Sequence, residues 1–182
     1  MDRRTFLMSA AGLGGAFATG QAAAYEPAAH LRPTLVQVRA DFAPGSIVVV
    51  PKAHYLYWIQ EGGTAMRYGV GVGRAGLEFQ GDAVIARKAK WPNWRPTDEM
   101  IAREPQTYAR FAEGVPGGPE NPLGSRALYL YQGGVDTYYR IHGTTQPRSI
   151  GRSVSNGCIR MINAHVEDLY DRVPVGTRVT VL

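Results

Sequence analysis

From Gly45 to Gly73 the chain runs in short apolar stretches divided by turn residues, a pattern that strands satisfy and long helices do not. Ile47–Val50 is a β-branched run of the kind found in buried strands. Tyr55–Gln60, then Glu61-Gly62-Gly63, then residues 64–68 read as a hairpin closed by a glycine turn. The alternating glycines 69, 71 and 73 mark close packing or a bend. Residues 83–86 form another short strand, 127–131 and 137–141 flank Gly133-Gly134, and 178–182 follow the turn at Pro174-Val175-Gly176. With 22 Gly, 12 Pro and 10 Tyr in 182 residues, turns and strands outweigh helices. Two short helices are expected: one capped by Thr97 and running through Arg103, one capped by Asn163 over residues 164–172. The expected fold is mainly β, a curved sandwich or barrel-like sheet with one or two short helices.

The other segments divide the chain. Asp2-Arg3-Arg4-Thr5-Phe6-Leu7, a small apolar run to Ala18 and an A-x-A site at Ala22-Ala23-Ala24 make residues 1–24 an export signal, with the mature chain from about Tyr25. The apolar run is too short to span a bilayer, and no Cys near the cleavage site offers a lipid anchor. The arginine pair before Phe-Leu resembles a twin-arginine signal. An ordinary Sec signal is the alternative. Residues 25–44 form a lead segment of weak structure, and residues 45–182 one catalytic-sized domain. Residues 104–122, rich in Pro and Gly, form a long loop or lid, preceded by Trp91 and Trp94.

Charge excludes some functions. The whole chain carries +5; removing the first 24 residues removes Arg3, Arg4 and Asp2, leaving 18 basic and 14 acidic side chains, or +4. That balance suits a polyanionic surrounding. The sequence lacks the dense basic run and interleaved aromatics of a nucleic-acid groove, so no nucleic-acid partner is expected. His30, His54, His142 and His165 lack the spacing of metal ligands, and no metal is expected.

Cys158 is the sole cysteine. In an oxidising compartment it has no internal partner, so it is either a small buried hydrophobe or a reactive thiol. With an ordinary pKa near 8.5, only about 3% of a thiol is ionised at pH 7. An imidazole within hydrogen-bond reach raises that reactivity and can return the proton to a leaving amine. His142 ends a strand and Cys158 follows sixteen residues later, so a loop can bring the two together. Gly157 allows close backbone approach, and the N–H groups of Gly157 and Cys158 are candidate oxyanion donors.

Ile141-His142-Gly143-Thr144, Ser149-Ile150-Gly151-Arg152 and Ser155-Asn156-Gly157-Cys158-Ile159-Arg160-Met161 together resemble the signature of the L,D-transpeptidase (YkuD-type) catalytic domain. Asn121-Pro122-Leu123-Gly124, Ala127-Leu128-Tyr129 and Val173-Pro174-Val175-Gly176-Thr177 extend the likeness over roughly residues 45–182. Asn156 stands where the family often has a second His, and Arg160 where some members have Asn. Phe79-Gln80-Gly81-Asp82 replaces the usual Thr-Pro-x-Gly stretch.

The resemblance implies a peptidoglycan L,D-transpeptidase in the periplasm, acting on stem peptides without a cofactor. Cys158 is the implied nucleophile and His142 the base, oriented by the Gly143 carbonyl. Arg160 is a candidate for a substrate carboxylate or for a structural salt bridge. Ser155 fixes the loop, and Asn156 hydrogen-bonds in place of the second imidazole. An L,D-carboxypeptidase, attachment of an outer-membrane protein through its amino terminus, and a non-catalytic wall-binding module are the rival readings.

The export route is testable. Replacing Arg3 and Arg4 together by Lys keeps positive charge but removes the guanidinium pair. Fractionation should find the double variant retained in the cytoplasm if the twin-arginine route operates. Normal export would assign the signal to Sec.

Overall fold

A computed structural model describes residues 25–39 and 42–182, so the export signal lies outside the described residues. The strands are β1 (Thr34–Gln37), β2 (Ile47–Val50), β3 (Tyr55–Gln60), β4 (Thr64–Gly69), β5 (Val72–Gly73), β6 (Gly81–Lys90), β7 (Arg126–Gln132), β8 (Val135–His142), β9 (Ser153–Ser155), β10 (Ile159–Arg160) and β11 (Arg178–Val181). The α-helices are α1 (Asp98–Arg103), α2 (Pro105–Tyr108) and α3 (Asn163–Arg172). The main sheet has nine strands in the order β1-β4-β3-β2-β11-β6-β7-β8-β10, and β5 pairs with β9 separately. Pairing is antiparallel except β11 with β2, β10 with β8 and β5 with β9.

The mainly β architecture agrees with the sequence pattern, but the sheet does not close into a barrel: β1 and β10 are its open ends. The hairpin sits where the glycine turn places it, with Tyr55 opposite Gly69 and Gln60 opposite Thr64. The lead segment is more ordered than its composition suggests. Thr34–Gln37 adds to the sheet beside β4. β6 is ten residues long and pairs with both β11 and β7; on it Arg87 sits over the Tyr129 ring, its guanidinium carbon 3.5 Å from the centroid.

The core lies between the sheet and α3. Ile47, Leu56, Tyr68, Ile85, Leu128, Leu130 and Ile141 are fully buried. Each such aliphatic side chain contributes roughly 1.5–3 kcal/mol through removal from water. α3 adds Val166, Leu169 and Val173, a stripe at positions i, i+3 and i+7. Lys88 on β6 holds the far end of α3: its Nζ donates to the carbonyls of Tyr170 (2.5 Å) and Val173 (2.7 Å). A cation there meets the negative end of the helix dipole.

Two cap expectations had opposite outcomes. Thr97 Oγ1 accepts from Met100 N–H at 3.2 Å, as a helix N-cap should. Asn163 does not cap α3, whose N-cap is Ile162 without a side-chain bond. Its Oδ1 instead accepts from Thr144 N–H (3.0 Å) and Ser125 N–H (3.3 Å). That carboxamide joins the turn before β7 to the turn after β8. Gly143 is required beneath it, since a Cβ there would collide with Asn163 Oδ1.

Asn163→Ala should therefore leave two partly buried N–H groups unpaired and destabilise the fold by about 1–3 kcal/mol in urea denaturation. Asn163→Asp keeps the acceptor and should recover most of that loss. Equal losses in both variants would show that the oxygen is not what matters.

Candidate active site

The parallel pairing of β10 with β8 sets Ile159 opposite Ile141 and Arg160 opposite His142. Met161 N–H donates to the His142 carbonyl at 2.8 Å, and Gly71 exchanges both backbone bonds with Arg160 (2.9 and 2.7 Å). The end of β8, the turn holding Cys158 and the β5 segment thus converge at one edge of the main sheet.

His142 is buried. Its Nδ1 lies 2.6 Å from the Gly143 carbonyl oxygen. A carbonyl only accepts, so Nδ1 carries the proton and Nε2 keeps its lone pair. Burial pushes the imidazole pKa down to about 3; the Arg160 charge acts in the same direction, and the Gly143 carbonyl opposes both. The ring is therefore neutral at physiological pH.

Cys158 is half-buried. Burial raises its thiol pKa, with the Arg140 charge acting against the rise. Arg140 is itself held by both Asp136 oxygens, at 2.8 and 3.0 Å. No hydrogen bond joins Cys158 to His142 among the described residues. The thiol points instead to the Tyr138 carbonyl, with Sγ 3.8 Å from the oxygen. Tyr138 is 70% exposed and has φ of 61°, a rare backbone conformation for an aromatic residue.

The loop before Cys158 is closed from within. Ser155 Oγ donates to the Cys158 carbonyl (2.6 Å) and accepts from Gly157 N–H (3.1 Å). The Gly157 N–H is thus engaged and is not a free oxyanion donor in this conformation. Gly157 itself answers to packing: φ is 116°, and a Cβ would strike the Tyr139 ring and the Leu77 carbonyl oxygen. Arg160 donates to Gln146 Oε1 at 3.2 Å and has no carboxylate partner among the described residues, so it is not a structural salt bridge.

Asn156 bonds to residues outside its own loop. Its Oδ1 accepts from Arg74 (2.9 Å) and Arg103 (2.7 Å), and its Nδ2 donates to Tyr108 Oη (2.6 Å). These contacts attach α1 and α2 to the nucleophile loop. The segment expected as a lid therefore starts at α1, before Glu104, and α2 gives it helical structure. Trp94 anchors it, stacking edge-on with Tyr108 and Phe111 and pairing its backbone with Val115. Trp91 stays exposed. Arg74, Arg103, Tyr108 and the Tyr138 carbonyl carry no motif of their own in the sequence. Among the described residues, no group of three or more His, Cys, Asp or Glu side chains is arranged to hold a metal ion, and no helix is long and apolar enough to cross a membrane.

Comparison with known proteins places this arrangement. Residues 44–181 match the family model of the YkuD L,D-transpeptidase catalytic domain. A probable L,D-transpeptidase ErfK/SrfK of Escherichia coli is 38% identical over 144 residues, which cover 76% of this chain and 44% of that protein. The chain thus spans less than half of that relative's length. A crystal structure from Brucella melitensis, described as a probable carnitine operon oxidoreductase, is 58% identical with a TM-score of 0.57, covering 83% of this chain and 93% of that one. The Enterococcus faecium L,D-transpeptidase, solved as a Cys-to-Ser mutant, shares the fold at 15% identity and a TM-score of 0.55, covering 78% of this chain and 50% of that one. With the family model covering nearly all of the chain beyond residue 43, the protein belongs to the YkuD L,D-transpeptidase catalytic-domain family.

Proposed function

We infer that the protein is a periplasmic peptidoglycan L,D-transpeptidase in which Cys158 is the nucleophile and His142 the base. The observation that carries this reading is the buried imidazole of His142, made neutral by burial and fixed in one tautomer by the Gly143 carbonyl, at the sheet edge that also bears the sole cysteine.

In this mechanism the thiol turns from the Tyr138 carbonyl toward His142 Nε2 and gives up its proton as Sγ attacks. The attacked carbonyl is that of diaminopimelate, the third residue of a tetrapeptide stem, in its bond to the terminal D-Ala. The C–N bond breaks, His142 returns the proton to the departing D-Ala amine, and a thioester remains on Cys158. An amine of a second stem then attacks the thioester. It gives its proton to His142, Sγ leaves, and a 3→3 cross-link forms. Because Gly157 N–H is engaged by Ser155, the Cys158 N–H is the oxyanion donor assigned here. Arg160, without a carboxylate of its own, is the group assigned to a substrate carboxylate. The segment from α1 to Val115 serves to exclude water, so that an oriented amine outcompetes hydrolysis. An outer-membrane protein amino terminus as acceptor would use the same thioester.

Cys158→Ala should retain the fold and abolish D-Ala release from disaccharide-tetrapeptides, and mass spectrometry of wild-type products should show the cross-linked dimer. Parent-rate release by the Ala variant would remove Cys158 from the mechanism, and tripeptide as the only wild-type product would make the enzyme a carboxypeptidase.

His142 also predicts a pH dependence of stability. Its folded pKa lies below the unfolded value of about 6.5, so the fold favours the neutral ring. That stabilisation is fully present above pH 6.5 and is lost as pH falls from there toward 3, with a slope of up to about 1.4 kcal/mol per pH unit. Urea midpoints of wild type and His142→Gln, measured between pH 7 and pH 4, should converge as the wild type loses this increment. Parallel curves would contradict a neutral buried imidazole.

A further inference from the structure

Arg74 and Arg103 come from distant parts of the chain, one just after β5 and the other at the end of α1, yet their guanidinium groups meet on the same two acceptors. Both donate to Asn156 Oδ1, at 2.9 and 2.7 Å. Both also contact Glu104 Oε1: Arg74 through a very short bond and Arg103 at 3.5 Å. Two positive charges face one carboxylate, so the cluster retains one positive charge (2 − 1 = +1). Guanidinium groups are the side chains best suited to hold a carboxylate.

The cluster is also open to solvent and adjacent to the nucleophile. The side chains of Arg74, Arg103 and Glu104 are 44%, 39% and 30% exposed. Asn156 lies two residues before Cys158, and two residues of extended chain span at most roughly 7 Å. Arg74 is tied to the same loop through its own backbone, N–H to the Ser155 carbonyl at 3.1 Å. The second guanidinium has only the shared Glu104 oxygen and the neutral carboxamide as acceptors.

We propose that Arg74 and Arg103 form a receptor for a carboxylate of the donor stem peptide outside the scissile bond, with Glu104 as its internal occupant until substrate arrives. The inference rests on the transpeptidase reading and assigns substrate selectivity to two residues of the same cleft. A stem offers two such groups: the far carboxylate of diaminopimelate and the α-carboxylate of the isoglutamate. The far diaminopimelate carboxylate is carried at the end of a flexible side chain, away from the attacked carbonyl. Both sources present the same chemistry, and selective amidation separates them.

Binding is measured on Cys158→Ala protein, by calorimetry with tetrapeptide carrying both carboxylates free or with either one amidated. Turnover is not needed, so a failure of D-Ala release in wild type would count against the transpeptidase reading and leave this test intact. Amidation at one position should weaken binding about tenfold, and the position that does so names the source. In Arg74→Gln and Arg103→Gln backgrounds, the free and amidated peptides should bind alike. Glu104→Gln should tighten binding of the free-acid peptide several-fold, because the internal competitor is gone. A latch whose role is only to hold α1 predicts the reverse, weaker binding of all peptides in Glu104→Gln. Equal affinity of the Cys158→Ala protein for the free and both amidated peptides would overturn the proposal, as would tenfold discrimination persisting when Arg74→Gln and Arg103→Gln are added.

Discussion

The active-site edge depends on a two-residue parallel ladder. β10 is short, and a ladder of two registered pairs beside β8 is not stable alone. It holds because three other segments fix it. Gly71 pairs with Arg160 on the far side, Met161 N–H reaches the His142 carbonyl, and Asn163, at the start of α3, ties down the turn that follows β8. The consequence is positional. Once Ile159 and Ile141 are buried in register, His142 and Arg160 lie side by side and Cys158 falls at the level of Arg140. A one-residue slip would bury the charged side chains and expose the isoleucines.

Electrostatics at this edge are arranged around positive charge with neutral reactants at its centre. Arg140 is matched by Asp136, Arg74 and Arg103 share Glu104, and Arg160 meets only the neutral Gln146. Positive charge beside His142 disfavours an imidazolium, while burial opposes both imidazolium and thiolate. The pair is therefore kept as thiol and imidazole rather than as an ion pair. An anionic substrate entering this field meets attraction from several sides, and its own charge would relieve the penalty on a transient imidazolium.

The sequence made some of this readable and hid the rest for physical reasons. The β3–β4 hairpin and the Thr97 cap follow from local chemistry, a glycine turn and a hydroxyl three residues before an N–H, and both are present. β1 was hidden because an edge strand with mostly exposed side chains leaves little hydrophobic alternation. Asn163 looked like a cap, since an Asn before a helical run ordinarily is one; its oxygen is drawn instead to two N–H groups at positions 125 and 144. The convergence of the segments bearing Cys158 and His142 at one sheet edge is legible because each lies in a contiguous motif on one side of one loop. The thiol's partner was not, because a backbone carbonyl carries no signature in the sequence. Nor was the meeting of Arg74 and Arg103 on Asn156, which spans 82 and 53 residues of chain. The close approach of the Tyr139 ring and the Leu77 carbonyl to Gly157 also has no signature in the sequence.

The contact between Cys158 and the Tyr138 carbonyl has a consequence for the lifetime of the protein. Peroxides and disulfides react with thiolate, not with a protonated sulfur whose pKa is raised by burial. A thiol resting on a carbonyl, with no hydrogen bond to an imidazole among the described residues, is chemically quiet. The 182-residue sequence holds no second cysteine to trap a sulfenic acid as a disulfide. A protonated sulfur at Cys158 is thereby shielded from oxidants for as long as this conformation lasts.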